Sequence, residues 1–151
     1  MIKRAQFLFM KNASYLPLTL LVIICFSSCL QPRLKVEMKS ISRFTWKIVY
    51  ITGKKIDKQL YPNGLPFVNF KEEGLISGST GCNGFGGKIH IEESNIEVSE
   101  IEMSFKGCGD PHFEIEEDII QGLYDSNQLF LEGNTLIFMK DDKVRLRLRD
   151  N

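Results

Sequence analysis

Apolar and polar residues alternate along most of the chain beyond position 43, beginning with Phe44, Trp46, Ile48 and Tyr50 set against Arg43, Thr45, Lys47 and Val49. A period of two predicts a half-buried strand whose aromatic face lies in the core. Gly53 to Gly64 (GKKIDKQLYPNG) interrupts the pattern with Pro62, Asn63 and Gly64 and reads as a loop. Strands are then predicted at Phe67 to Phe70 and Leu75 to Ser79, joined across Glu73 and Gly74. A second antiparallel pair follows at Lys88 to Glu92 and Asn95 to Ile101, turning through Glu93, Ser94 and Asn95. Near the end, Leu129 to Leu131 and Leu136 to Met139 flank Glu132, Gly133 and Asn134, a hairpin signal, and a second hairpin turns at Asp141 and Asp142. The final strand sets Lys143, Arg145, Arg147 and Arg149 on one face and Val144, Leu146 and Leu148 on the other. Such a stripe offers anionic lipid a contact, but basic residues on an edge strand also block edge-to-edge pairing, and edge protection is the preferred reading.

The period changes to that of a helix only once. Ile115, Ile119, Ile120 and Leu123 share one face, Asp110 is placed to cap the N-terminus, and Pro111 suits the first helical position. Glu114, Glu116, Glu117 and Asp118 fall in the early turns, where the helix dipole favours negative charge, and read as solvated. No Asp-x-Asp-x-Asp-Gly loop accompanies them to suggest calcium. The predicted fold class is α+β: a small antiparallel, partly closed β-sheet with one helix packed across it.

Between the central strands lies GSTGCNGFGG, residues 78 to 87, with five glycines around one cysteine and one asparagine. It reads as a turn, in which glycine supplies positive φ or close backbone approach and Asn83 tolerates left-handed geometry. No GxxxxGK[ST] is present and no helix follows, so the glycines are structural rather than phosphate-binding. Gly78, Gly81, Cys82, Asn83, Phe85 and Gly87, with Val68 and Phe70 upstream and Cys108 just before the helix, resemble the META domain family, the HslJ-like bacterial lipoproteins. The resemblance covers about Phe44 to Leu148. It implies a small α+β domain of the bacterial envelope and supplies no catalytic mechanism.

Composition and the N-terminus set the expected compartment. At 151 residues, with 43% hydrophobic and 25% charged, the chain has room for one ordinary core. Residues 1–28 read as a lipoprotein signal peptide: Lys3, Arg4 and Lys11 are a positive start, and Leu16 to Phe26 is an apolar stretch too short to span a bilayer. Met10, followed by Lys11, is an alternative start. Ser27 and Ser28 precede Cys29, the expected lipidation site, with ordinary secretory cleavage near Ser28 as the alternative. Residues 29–42 read as a lipid-anchored tether, of which twelve extended residues reach roughly 40 Å, and 43–151 as the domain. Without the three leader cations, 16 basic residues face 19 acidic ones. That excess of negative charge argues against a nucleic-acid partner.

Residues with chemistry to offer are few. With His90 and His112 as the only histidines, no catalytic triad is indicated, so the expectation is a non-enzyme without cofactors. In an oxidising compartment the cysteines left after lipidation, Cys82 and Cys108, most simply form a disulfide. Two other readings stay open for them: a reactive thiol, and a metal site with His112 that lacks a fourth ligand. The expected function is a non-catalytic envelope lipoprotein with a binding or stress-support role. It faces the periplasm or the cell surface, at the outer membrane in preference to the inner, and its partner is an unidentified envelope protein or small ligand. The alternatives are a small secreted inhibitor or ligand-binding barrel with docking loops such as Gly53 to Gly64, and a thiol-redox or metal protein using Cys82, Cys108 and His112.

Overall fold

The structure, a computed structural model, describes residues 35–150. The signal peptide, Cys29 and both candidate starts lie outside the described residues. Helix α1 (Met38–Ile41) leads into β1 (Thr45–Ile51), a two-residue β2 (Lys54–Lys55) and a 3₁₀ turn (Lys58–Leu60). Then come β3 (Phe67–Phe70), β4 (Leu75–Ser79), β5 (Gly84–Glu92), β6 (Asn95–Met103), helix α2 (His112–Asp125), β7 (Gln128–Glu132), β8 (Thr135–Lys140) and β9 (Lys143–Arg149). All strand pairings are antiparallel, and β1 pairs with β9 as well as with β3, so the sheet closes on itself.

Closure is incomplete at one seam. β6 and β7 share the single register pair Asn95 and Gln128, so most of β6, paired with β5 on one side, has no strand along the other. Helix α2 covers that stretch. Its Tyr124 hydroxyl accepts the Ile101 N–H at 2.9 Å, a backbone donor that β7 does not reach. Ile119, Gly122 and Leu123 turn inward, and Gly122 lets the helix come so close to β9 that an added Cβ would stand 2.9 Å from Leu146. The interior is filled by Trp46, Ile48, Val68, Leu129, Leu136, Phe138, Leu146 and Leu148. Each such aliphatic side chain contributes about 1.5 to 3 kcal/mol on burial. Among the described residues no helix is long and apolar enough to cross a membrane.

Five sequence expectations change. The register slips between Ile48 and Tyr50 against β9, so Ile51 enters the core in place of Tyr50, which lies half-buried beneath Arg147. Phe44 stays outside the core as well, edge-on to Trp46 at 5.9 Å. The basic stripe is not on an edge, because β9 is paired on both sides, and Arg145 meets Asp125 at 3.4 Å. Asp110 does not cap α2; Pro111 stands at that position and offers no side-chain acceptor. Finally, the expected tether is not free over its described part. Val36 and Ile41 are buried in the core cluster, and the Trp46 indole donates to the Ile41 carbonyl at 2.8 Å.

Candidate functional site

The glycine-rich stretch is shorter as a turn than its composition suggests. β4 runs to Ser79 and β5 starts at Gly84, so only Thr80 to Asn83 turn, and most of the glycines lie in strands. Close packing explains two of them. A Cβ on Gly78 would collide with the Phe67 carbonyl and stand 2.7 Å from the Phe85 ring, and one on Gly87 would meet Ile101 and the Ser99 carbonyl at 3.1 Å. Positive φ within the stretch belongs to Gly81 alone, at 95°, and the Tyr61 ring fills the space a side chain would need.

Asn83 is not left-handed. Its side chain does the work instead, at 2% exposure. The amide nitrogen donates to both oxygens of Glu116, at 3.0 and 2.9 Å. The amide oxygen accepts the Lys106 N–H at 2.7 Å and the Ser104 hydroxyl at 3.2 Å. Thr80 completes the cluster by donating to Glu116 Oε2 at 2.6 Å and accepting the Asn83 N–H at 3.0 Å. Three elements meet here: the β4–β5 turn, the loop between β6 and α2, and the first turns of α2. The Cys82–Cys108 disulfide, with Cα atoms 6.1 Å apart, ties the same turn to the same loop.

Glu116 overturns its expected role as a solvated helix-start residue, since it is 7% exposed. The signal was present in the helical spacing, because it precedes Ile119 by three positions and Leu123 by seven and so shares their face. Thr80, Ser104 and Tyr61 carried no comparable signal. Phe85 packs in the core as the motif residue between the strand glycines. The two cysteine sulfurs are bonded to each other, which leaves His112 no thiolate partner, and among the described residues no group of three or more His, Cys, Asp or Glu side chains is placed to hold a metal.

Tyr61 and His112 stack edge to face at 5.3 Å beside this cluster. The Tyr61 hydroxyl and His112 Nδ1 are both buried without a hydrogen-bond partner. Burial, and then the charge of Glu116, hold the phenol above its usual value of 10.0. The folded state therefore keeps the phenolic proton after the unfolded chain has lost it, so this contribution is whole below pH 10 and is lost as pH rises through the raised value. Tyr61→Phe should leave stability at pH 7 unchanged or slightly higher, since an unpartnered buried hydroxyl costs free energy. It should also flatten the alkaline fall in chemical-denaturation midpoint, and a fall as steep as wild type would show that Tyr61 is not its source.

At the outer end of the cluster a small pocket of about 40 Å³ is lined by Cys82, Phe105, Lys106, Gly107, Cys108, His112, Phe113 and Glu116. Of its lining residues, Phe105 is 90% exposed and Phe113 55%.

The META domain model matches residues 39–151. No curated protein matches the chain. Among solved structures, one determined by NMR is similar at 22% identity and a TM-score of 0.62, over 76% of this chain and 94% of its own. A Burkholderia xenovorans protein, also solved by NMR, has 13% identity and a TM-score of 0.62 over 83% of this chain and 94% of its own. The crystal structure of a DUF4847 family protein from Bacteroides vulgatus has 13% identity and a TM-score of 0.55, over 75% and 96%. At these identities the likeness is one of fold.

Proposed function

The chain belongs to the META domain family, and from that membership we propose that it is a non-catalytic envelope lipoprotein that works by binding, anchored to a membrane through acyl chains on Cys29. The observation that carries the binding reading is the loop between β6 and α2. It is fixed by a disulfide and by the Asn83 side chain, yet it presents Phe105 and, at the helix start, Phe113 to solvent. Exposed aromatic groups on a rigid support are what a protein contact surface uses, because little ordering entropy is lost on docking. The polar residues of the cluster below bond to one another, an arrangement suited to holding that surface. The Gly53 to Gly64 loop is less free to dock a partner, since Tyr61 is 6% exposed and packs on the Gly81 turn. The ring's interior is filled by side chains, which favours surface contact over an enclosed ligand.

Pull-down from envelope extracts tests the binding reading. Phe105→Ala with Phe113→Ala should lose the captured partner while circular dichroism and melting temperature hold, and capture that survives both substitutions would overturn it. The anchor rests on the charged start, the short apolar stretch and the sequence Ser27, Ser28, Cys29. Two or more acyl chains anchor stably where one does not. Cys29→Ser should therefore move the protein from membrane to soluble fractions. Identical fractionation of variant and wild type with membranes would show the anchor assignment to be wrong. A periplasm-facing or surface position at the outer membrane is part of the same proposal, as is a role in envelope stress.

A further inference from the structure

Ring closure leaves the basic strand without the role its sequence suggested. Because β9 is paired on both sides, its cations guard no edge, and contact with an anion is the reading that remains. Neighbouring strands add to them. Lys47 stands opposite Arg149, and Tyr50 stands opposite both Arg147 and Lys55. Paired residues share a face, and since Ile48, Leu146 and Leu148 fill the interior, these cations lie on the outer wall. Arg145 falls at the register slip against β8 and turns to Asp125 instead. Among the described residues no carboxylate pairs with Lys55, Arg147 or Arg149. Acids stand at the margins of the wall: Glu132 across Thr135 from Arg149, and Asp150 just past the end of β9.

Charge is segregated in the same way along the chain. Strands β1, β2 and β9 contain lysine and arginine and no aspartate or glutamate, whereas α2 and β6 contain acids and neither lysine nor arginine. A domain with a small excess of negative charge therefore keeps one positive wall. Position then narrows the anion. β1 begins and β9 ends at the rim where α1 packs, and the Trp46 indole, beside Lys47, donates there to the Ile41 carbonyl. The chain enters the domain at that rim, and residues 29–34, between Cys29 and Lys35, reach at most about 20 Å. Acyl chains on Cys29 would hold the wall near lipid head groups, where cations within a Debye length of an anionic surface are drawn to it. A soluble anion or an acidic protein gains nothing from that placement. β6 ends at the opposite rim, so Phe105 stays clear for a partner.

We propose that the outer wall of β2, β1 and β9, carrying Lys55, Lys47, Arg147 and Arg149, lies against the anionic phospholipid surface of the membrane that holds the anchor. It rests on the anchor reading above and adds which side of the domain faces the lipid.

The test footprints lysine amines of the full chain on vesicles of phosphatidylcholine, alone or with phosphatidylglycerol, using a water-soluble acylating reagent and mass spectrometry. Lys54 and Lys55, both exposed on β2, should react roughly tenfold more slowly on the anionic vesicles. Lys88 on β5 and Lys106 in the loop after β6 should react equally on both. High salt, which screens exposed charges, should abolish the protection. Arg149→Gln, at an exposed position where the fold stays intact, should raise the reactivity of Lys54 and Lys55 on anionic vesicles about threefold. Equal reactivity on both vesicles, the same protection at Lys88 and Lys106, or no effect of Arg149→Gln would each overturn the assignment. Shielding of Lys54 and Lys55 by added soluble envelope proteins and not by anionic lipid would make the wall a protein contact and overturn it too. Retention on phosphatidylcholine vesicles reads the anchor by itself. A chain released from them that still shows the protection on anionic vesicles would sink the anchor and keep the wall.

Discussion

Asn83→Ala should lower the stability of the domain by about 3 kcal/mol, because it strips hydrogen bonds from buried groups and puts no water in their place. The Glu116 oxygens lose the amide donor, and the Lys106 N–H and Ser104 hydroxyl lose their shared acceptor. For a domain of this size the melting temperature should fall by about 10 °C. Gly81→Val should cost more. It adds a β-branched residue at a φ of 95° and places its side chain where the Tyr61 ring sits. Exposed residues of the Gly53 to Gly64 loop, Lys54 and Lys55 among them, are the control, and their replacement by alanine should change stability by less than about 0.5 kcal/mol. The informative contrary result is an Asn83→Ala protein with wild-type stability and no envelope activity. The Asn83 motif would then be the contact site itself and not its support.

Removing the Cys82–Cys108 disulfide, by Cys82→Ala with Cys108→Ala, should cost roughly 3 to 4 kcal/mol on the loop-closure account, given a separation of 26 residues. The disulfide and the Asn83 side chain hold the same loop to the same turn, so the two losses should not add. With the disulfide gone, the loop can leave Asn83 at lower cost, and Asn83→Ala in that background should cost less than it does alone. Urea denaturation of the four combinations measures the coupling. Strictly additive costs would show that the two ties act on separate units. Non-reducing peptide mapping of protein made in an oxidising compartment should yield the Cys82 and Cys108 peptides joined, and two freely alkylated thiols in the folded protein would restore the reactive-thiol reading. Loss of the disulfide should also loosen the loop that carries Phe105, so partner capture should weaken even in the fraction that remains folded.

Much of the fold is legible in local chemistry. β3 and β4 begin and end where alternation does, and Asp141 and Asp142 adopt the paired positive φ values, 49° and 61°, that a two-residue hairpin requires. Helix α2 follows from its apolar spacing, because periodicity and turn preference are properties of a few neighbouring residues. Ring closure is a different kind of fact. β1 and β9 lie about a hundred positions apart, and nothing in either run states that they pair, so the stripe from Lys143 to Arg149 read as an exposed edge until the structure gave it a neighbour on each side. The slip that exchanges Tyr50 for Ile51 in the core is likewise set by the partner strand. The site divides in the same way. Gly81, Cys82, Asn83 and Cys108 stand out by composition and spacing, but the task of Asn83 depends on Glu116, 33 positions away, and on a backbone N–H at Lys106. A buried polar group is satisfied by whatever the fold brings to it, and that is decided by packing between distant segments rather than by the order of residues within one.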